Sequence, residues 1–501
     1  MTTSTKNDTK KGITEQEALD FHEFPTPGKI SIVSSKKMDS SRDLSLAYSP
    51  GVAFPCLHIQ KNPLDAYKYT SKGNMVAVIS NGTAVLGLGN LGALAGKPVM
   101  EGKAILFKRF GGIDAIDVEV ESYDVDEFCN IVAKIGETWG GINLEDIKSP
   151  ECFEIEARLK KMLKIPVFHD DQHGTAIVVA AGIINACEII GKKIENLKVV
   201  MNGAGAAGIA CLKLILTIGV KKENVIICDR TGVVYKGRND VPPEDIKYEY
   251  ASDTKARTVH EALNGADVFI GLSAKDAINK DSIKNMSKDP IIFAMANPDP
   301  EIKPEDALEV RPDAIVATGR SDYANQVNNV MGFPYIFRGA LDVEATDINE
   351  EMKIAAALAI AKLARQPVPT EVLRMYPGRQ LEYGKGYIIP TPFDPRLIVE
   401  VSTAVAKAAI DTGVARKKIT DWDAYRQKLL SYVNPTANAM NIITKQLQQK
   451  KRKIVFAEGE ELEIIKVAIY MKANGLAHPI LVGKIEKIEE VMKSASIKSL
   501  E

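Results

Sequence analysis

Glu145, Asp146 and Asp171 have the residue types and the spacing to hold a divalent cation. Adjacent side chains in a strand point to opposite faces, so Glu145 and Asp146 can converge only at a strand end or a helix start. Ser149-Pro150, just beyond them, meets that condition. With Asp171 they offer three hard oxygen ligands of the kind Mg²⁺ or Mn²⁺ prefers, leaving positions open for substrate and water. Carboxylates in solvated loops are the commoner fate of a Glu-Asp pair. His169 and His173 have the i, i+4 spacing of a zinc pair on one helix face. Pro166 and the β-like run before His169 put that histidine at a strand end, which argues against zinc.

A second chemistry is written in Asn202-Gly203-Ala204-Gly205-Ala206-Ala207-Gly208. Gly203 permits a tight turn, Gly205 lets backbone approach a pyrophosphate, and Gly208 lets a helix pack on a strand. The helix that follows then aims the free N–H groups of its N-terminus at phosphate. Strand Leu197–Met201 precedes the turn, helix Ile209–Ile218 follows it, and strand Val225–Cys228 ends at Asp229. That order is what a dinucleotide site requires. An acid at Asp229 bonds the ribose 2′-hydroxyl and favours NAD; Arg230, with Lys236 and Arg238 nearby, favours NADP.

These residues need strands and helices to position them. Short apolar runs predict strands over Met75–Ile79, Ala84–Leu88, Lys103–Phe107, Ile113–Val120 and Ile165–Phe168, the first two joined as a hairpin. Helices are expected over Val125–Thr138, over Glu151–Leu163 with a serine cap and Pro150 in its first turn, and over Thr175–Ile190. Asp267–Gly271, Ile291–Ala296 and Ala314–Ala317 continue a parallel sheet covered on both faces. A helix-rich stretch runs from Asn349 to about Tyr432. The last segment reads as strand Ile454–Ala457, helix Glu460–Ala473 and strand Pro479–Val482.

At 501 residues the chain exceeds one core, so two or three domains are expected. We divide it into a disordered lead-in (1–20), an N-terminal substrate and metal domain (21–165), a doubly wound Rossmann domain (166–430) and a partial βαβ segment (431–501). The 64 basic and 65 acidic residues nearly cancel, which argues against nucleic acid or a membrane surface as partner. No apolar run is long enough to predict a membrane span. Six scattered cysteines and a polar start without an apolar signal core point to the cytoplasm.

Ala47-Tyr48-Ser49-Pro50-Gly51-Val52, Met100-Glu101-Gly102-Lys103-Ala104, Asn143-Leu144-Glu145-Asp146, Val167–Thr175, Ala296-Asn297-Pro298 and Asn328-Asn329 occur in an order that resembles malic enzyme. The likeness is to the bacterial form with a phosphotransacetylase-like extension. Residues 431–501 resemble only the start of that extension. The resemblance implies oxidative decarboxylation of malate to pyruvate and CO₂, NADP as cofactor with NAD possible, Mg²⁺ or Mn²⁺, and a homo-oligomer. It assigns Lys103 as general base, Asp170 as its holder and Tyr48 as the acid that protonates enolpyruvate. Asn297 and Asn329 match contacts to substrate or nicotinamide ribose, and Glu145, Asp146 and Asp171 match the metal ligands. Burial beside a cation is expected to lower the Lys103 pKa. Acyl transfer is a competing reading from the C-terminal likeness, but too little of that domain is present to expect acetyl-transfer activity. An amino-acid dehydrogenase would share the cofactor turn but not need the three carboxylates, and a dead regulator would have lost one of these groups.

Overall fold

The computed structural model describes residues 13–433, 447 and 452–495, and its contacts divide the chain into two compact units, Met1–Arg426 and Gln427–Glu501. The first unit opens with four short helices, α1 (Glu15–Glu23), α2 (Ser41–Ala47), α3 (Ala53–Lys61) and α4 (Ala66–Tyr69), none of which has a buried residue. Part of the predicted lead-in is therefore helical: Thr14 and Glu17 form a capping box on α1. Residues 1–12 lie outside the described range.

A four-stranded sheet follows, built from β1 (Met75–Ser80), β2 (Asp114–Glu119), β3 (Gly141–Leu144) and β4 (Val167–His169) in the order β2-β1-β3-β4, all parallel. Helices α5 (Ala93–Gly111), α6 (Val125–Gly136) and α7 (Glu151–Met162) connect the strands. Three expectations fail here. Val85–Gly87 is a 3₁₀ turn, so β1 has no hairpin partner. Lys103–Phe107 is helical, inside α5. Its buried positions Ala93, Gly96, Met100, Lys103, Ala104, Phe107 and Phe110 recur every three or four residues, the period of one helix face. Pro150 stands at the N-cap of α7 with no side chain capping it, so Ser149 does not act as the expected cap.

The second sheet has the order β10-β9-β8-β5-β6-β7, from β5 (Val199–Asn202), β6 (Val225–Asp229), β7 (Gly232–Val233), β8 (Val268–Gly271), β9 (Ile291–Ala294) and β10 (Ile315–Thr318). All neighbours are parallel except β7, a short antiparallel edge on β6. This is the doubly wound arrangement, with its switch point between β5 and β8. Between the sheets runs α8 (Asp170–Ile190), which begins five residues earlier than predicted and so places Asp170 and Asp171 in its first turn. It is apolar enough to span a bilayer, but 67% of its apolar window is buried in the fold. Near its far end the Asn185 amide donates to Ala361 O (2.9 Å) and Ile388 O (2.7 Å).

Helices α9 (Ala206–Thr217), α10 (Val259–Ala262), α11 (Lys280–Lys284), α12 (Pro304–Val310), α13 (Phe333–Asp342), α14 (Glu350–Ala364), α15 (Thr370–Met375), α16 (Arg396–Asp411) and α17 (Trp422–Val433) complete the chain up to 433. Phe107 of α5 meets Phe333 and Phe337 of α13 edge-on, and Phe337 meets Phe168 of β4. This aromatic core sits beneath the carboxylates. In the second unit β11 (Arg452–Phe456) and β12 (Ala477–Leu481) pair in parallel around the helix Leu462–Ala473, as the βαβ reading expects.

Candidate active site

Glu145 and Asp146 leave the end of β3, Asp171 and Asp170 open α8, and Lys103 reaches in from α5. One oxygen from each of Glu145, Asp146 and Asp171 lies within 4.8 Å of the others. Asp146 adopts a left-handed backbone (φ 52°), and its N–H donates to Asp171 Oδ2 at 2.8 Å, tying the strand end to the helix start. Lys103 Nζ is 2.6 Å from Asp170 Oδ2, 2.8 Å from Glu145 Oε1 and 4.2 Å from the centre of the Phe333 ring. The Asn329 amide donates to the same Asp170 oxygen at 2.7 Å. Gly174 has to be glycine: a Cβ there would stand 2.1 Å from Asp170 Oδ1.

Crowding sets the protonation. Burial pushes the Glu145 carboxyl well above its ordinary range; Lys103 opposes the push, and Asp171, Asp170 and Asp146 add to it. Burial and the neighbouring Asp171 push Asp146 up to about 7. Among these side chains alone Lys103 is held above its usual pKa: burial favours the neutral amine, but Asp170, Glu145 and Asp171 outweigh it. Asp146 Oδ2 and Asp170 Oδ1 are buried without a hydrogen-bond partner. His169, fully buried at the end of β4, also has neither ring nitrogen bonded, and its Nδ1 stands 3.7 Å from Asp171 Oδ2.

The second constellation opens at the C-terminal ends of β5, β6 and β8. Gly203 takes φ 121°, and a Cβ on it would meet Leu272 O at 2.3 Å; one on Gly208 would meet Gly203 O at 1.8 Å. Around Gly205 there is open space. The turn lines a cavity of about 1030 Å³ that extends to Asp229, Arg230, Arg238 and Lys247. Asp229 does not present the vacant carboxylate a ribose would need. Arg238 Nη2 donates to both its oxygens (2.9 and 2.7 Å), Thr231 N–H and Oγ1 donate to Oδ1, and Lys247 Nζ stands 3.6 Å from Oδ2.

Lys103, Glu145, Asp146, Asp170, Asp171 and Asn329 thus come together, and Gly203, Ala204 and Gly205 line the cavity with Asp229 and Arg230, whereas Ala206, Ala207 and Gly208 form the first turn of the helix behind it. Asn297 is exposed on the loop after β9. Tyr48 is 71% exposed at the C-terminal end of α2, its hydroxyl without a hydrogen-bond partner among the described residues. Lys247 went unread in the sequence because its only signal is a position 18 residues past Asp229. Glu301 went unread too. Fully buried, it accepts from the N–H groups of Ser273 and Ala296 and so ties the loops after β8 and β9 together.

A curated NADP-dependent malic enzyme of Halomonas elongata is 58% identical over 402 residues, which cover 95% of that relative. The chain belongs to the malic enzyme family. The model of the malic enzyme NAD binding domain matches residues 172–380, and that of the malic enzyme N-terminal domain matches 27–125 and 119–160. A phosphate acetyl/butaryl transferase model matches 438–500. The malic enzyme crystal structure from Pyrococcus horikoshii superposes with a TM-score of 0.77 at 43% identity, covering 86% of this chain and 98% of that one. A probable NADP-dependent malic enzyme of Rickettsia prowazekii is 61% identical over 95% of this chain, and an NAD-dependent malic enzyme of Rhizobium meliloti is 49% identical over 97%. The chain spans 62% and 63% of the length of those two relatives.

Proposed function

We propose that this chain catalyses the oxidative decarboxylation of (S)-malate to pyruvate and CO₂ with reduction of NADP, supported by Mg²⁺ or Mn²⁺. The observation that carries the reading is Lys103, whose buried amine bridges Asp170 and Glu145 at the edge of three clustered carboxylates.

The donor set fits a hard divalent cation. Glu145, Asp146 and Asp171 supply only carboxylate oxygens, and burial together with the neighbouring carboxylates raises the pKa of Glu145 and of Asp146, a cost that a bound cation would relieve. Such an ion, when bound, offers Lewis-acid stabilisation to negative charge developing on substrate oxygens. Neutralising the carboxylates also removes what keeps Lys103 charged, and its burial then favours the neutral base. Lys103 takes the proton from the malate hydroxyl as hydride passes to the nicotinamide. Asp170, itself held by Asn329, fixes the amine in place. Asn329 and Asn297 contact substrate or nicotinamide ribose, and the backbone N–H groups of the Gly203–Gly208 turn hold the pyrophosphate.

Tyr48 is our candidate for the acid that protonates enolpyruvate at carbon. Its exposure requires a cover when substrate is bound. Leu44 (55%), Leu46 (62%), Phe54 (70%) and Leu57 (62%) around it are also exposed, so we place a second copy of the chain on this apolar face. NADP is preferred to NAD in this reading because Arg238 neutralises Asp229, while Lys247 and Arg230 add positive charge beside the ribose end. The cysteines are unpaired and five of the six are buried, in keeping with a reducing cytoplasm.

The test is spectrophotometric, with malate, Mn²⁺ and each cofactor in turn. Reduction of NADP faster than NAD is expected. No reduction of either cofactor overturns the activity; faster reduction of NAD overturns only the cofactor preference.

A further inference from the structure

His173 shares a helix turn with the carboxylate cluster but faces away from it. Its Nε2 lies 2.9 Å from both Oε1 and Oε2 of Glu156 on α7, and its Nδ1 lies 3.2 Å from Lys353 Nζ on α14. An ammonium only donates, so Nδ1 accepts and Nε2 carries the proton given to Glu156. Lys353 also donates to Glu350 Oε1 at 2.6 Å, and Lys160 Nζ stands 3.6 Å from Glu156. The side chains of Lys353, Glu156 and His173 are 3%, 9% and 16% exposed. A polar chain this well buried is rigid while every member is satisfied and costly when one is removed.

Asp171 needs such an anchor. Its side chain is 36% exposed, and among the described residues its one hydrogen bond comes from the Asp146 N–H. Packing covers the side chain only in part, and among the described residues no hydrogen bond from its own helix holds its carboxylate beside Glu145. The orientation of the first turn of α8 has to do so, and His173, two residues along, is where α7 and α14 grip that turn.

We propose that the Lys353–His173–Glu156 chain fixes the first turn of α8, which makes its three members positioning residues for the cation ligand Asp171. The proposal rests on reading Glu145, Asp146 and Asp171 as a cation site. None of the three touches the cation; their effect is on how well the ligand set is preorganised.

The experiment titrates Mn²⁺ into the cofactor-free and substrate-free protein, followed by electron paramagnetic resonance or calorimetry. His173→Phe keeps the ring volume and its contact with Phe168 but deletes both nitrogens. It is expected to weaken Mn²⁺ binding about 10- to 100-fold, with NADP binding unchanged. His173→Gln keeps an N–H for Glu156 and is expected to stay within about threefold of the parent. Should His173→Phe fail to fold, Lys353→Met removes one arm and is expected to weaken Mn²⁺ binding at least about threefold. A His173→Phe protein, or failing that a Lys353→Met protein, that binds Mn²⁺ within about twofold of the parent overturns the proposal. So does His173→Gln binding as poorly as His173→Phe, since lost packing would then explain both. Asp171→Asn separates the two readings: if it leaves Mn²⁺ binding intact, the cation site itself is wrong, whereas if it abolishes binding and His173→Phe does not weaken it, only the positioning role falls.

Discussion

Lys103 and its neighbours concentrate full charges from α5, the end of β3 and the start of α8 in a buried cluster, whereas the Gly203–Gly208 turn offers backbone N–H groups to an open cavity and carries no charged side chain. The first suits a divalent cation and the second a pyrophosphate, and they fail in different ways. The cluster depends on which side chains are charged and on the placement of α8, which carries Asp170 and Asp171 and on which Gly174 packs against Asp170. The turn depends on the absence of Cβ atoms and on helix polarity, neither of which titrates. On the proposed function, the substrate site should be sensitive to pH and metal and the cofactor site indifferent to both.

The most severe test of that contrast is Lys103→Ala. Turnover is expected to fall about 100- to 10,000-fold, as for loss of a general base, with the NADP dissociation constant unchanged. Turnover within about threefold of the parent would remove Lys103 from the mechanism, and a loss of NADP affinity would show that the regions are coupled. Gly208→Ala is the converse. A methyl group 1.8 Å from Gly203 O forces the turn to move, so NADP affinity should drop at least about tenfold, some 1.4 kcal/mol, while Mn²⁺ binding is retained. Titration of both ligands into the same protein reads out the split.

Lys247→Met asks whether charge matters anywhere in the cofactor region. Loss of this cation should reduce kcat/KM for NADP about tenfold and leave that for NAD nearly unchanged, which the ratio of the two rates will show. The smallest effect comes from a carboxyl pair outside both regions. Burial and the adjacent Asp117 push Glu119 up to about 7, with Lys97 bridging the pair. The folded protein therefore holds a proton that the unfolded chain releases near its ordinary value, so this group's contribution to stability declines as pH rises from about 4.5 to about 7. Glu119→Gln mimics the protonated form. It should raise the unfolding midpoint by about 1–2 °C at about pH 8 and leave it unchanged at about pH 5, as thermal melts at the two pH values will show.

How legible each region was in the sequence follows from the range of its contacts. The dinucleotide turn is local: strand, glycines, helix and acid lie within about thirty residues and occur in the predicted order, with the helix opening earlier, at Ala206, and the first strand at Val199. Glu145, Asp146 and Asp171 were legible because two strand ends announced them. Lys103 was assigned its role by resemblance but its element was misread. Pro98, with Gly96 and Gly102 on either side, made α5 look like broken pieces, and the apolar Ala104–Phe107 run passed for a strand. The Arg238 grip on Asp229 and the Lys353–His173–Glu156 chain were not legible, since one depends on side-chain geometry around an edge strand and the other joins residues 180 positions apart.

Asn185 anchors α8 fourteen residues beyond Asp171, about 21 Å along the axis at 1.5 Å per residue. Seen from that anchor, the helix is a lever arm with a carboxylate at its tip. A tilt of about 3° at the fulcrum displaces Asp171 by roughly 1 Å, a misplacement large enough to cost on the order of a hundredfold in rate. The angular tolerance of α8 is therefore far tighter than that of a surface helix, and substitutions around Asn185, remote from any reacting atom, inherit the sensitivity of the site.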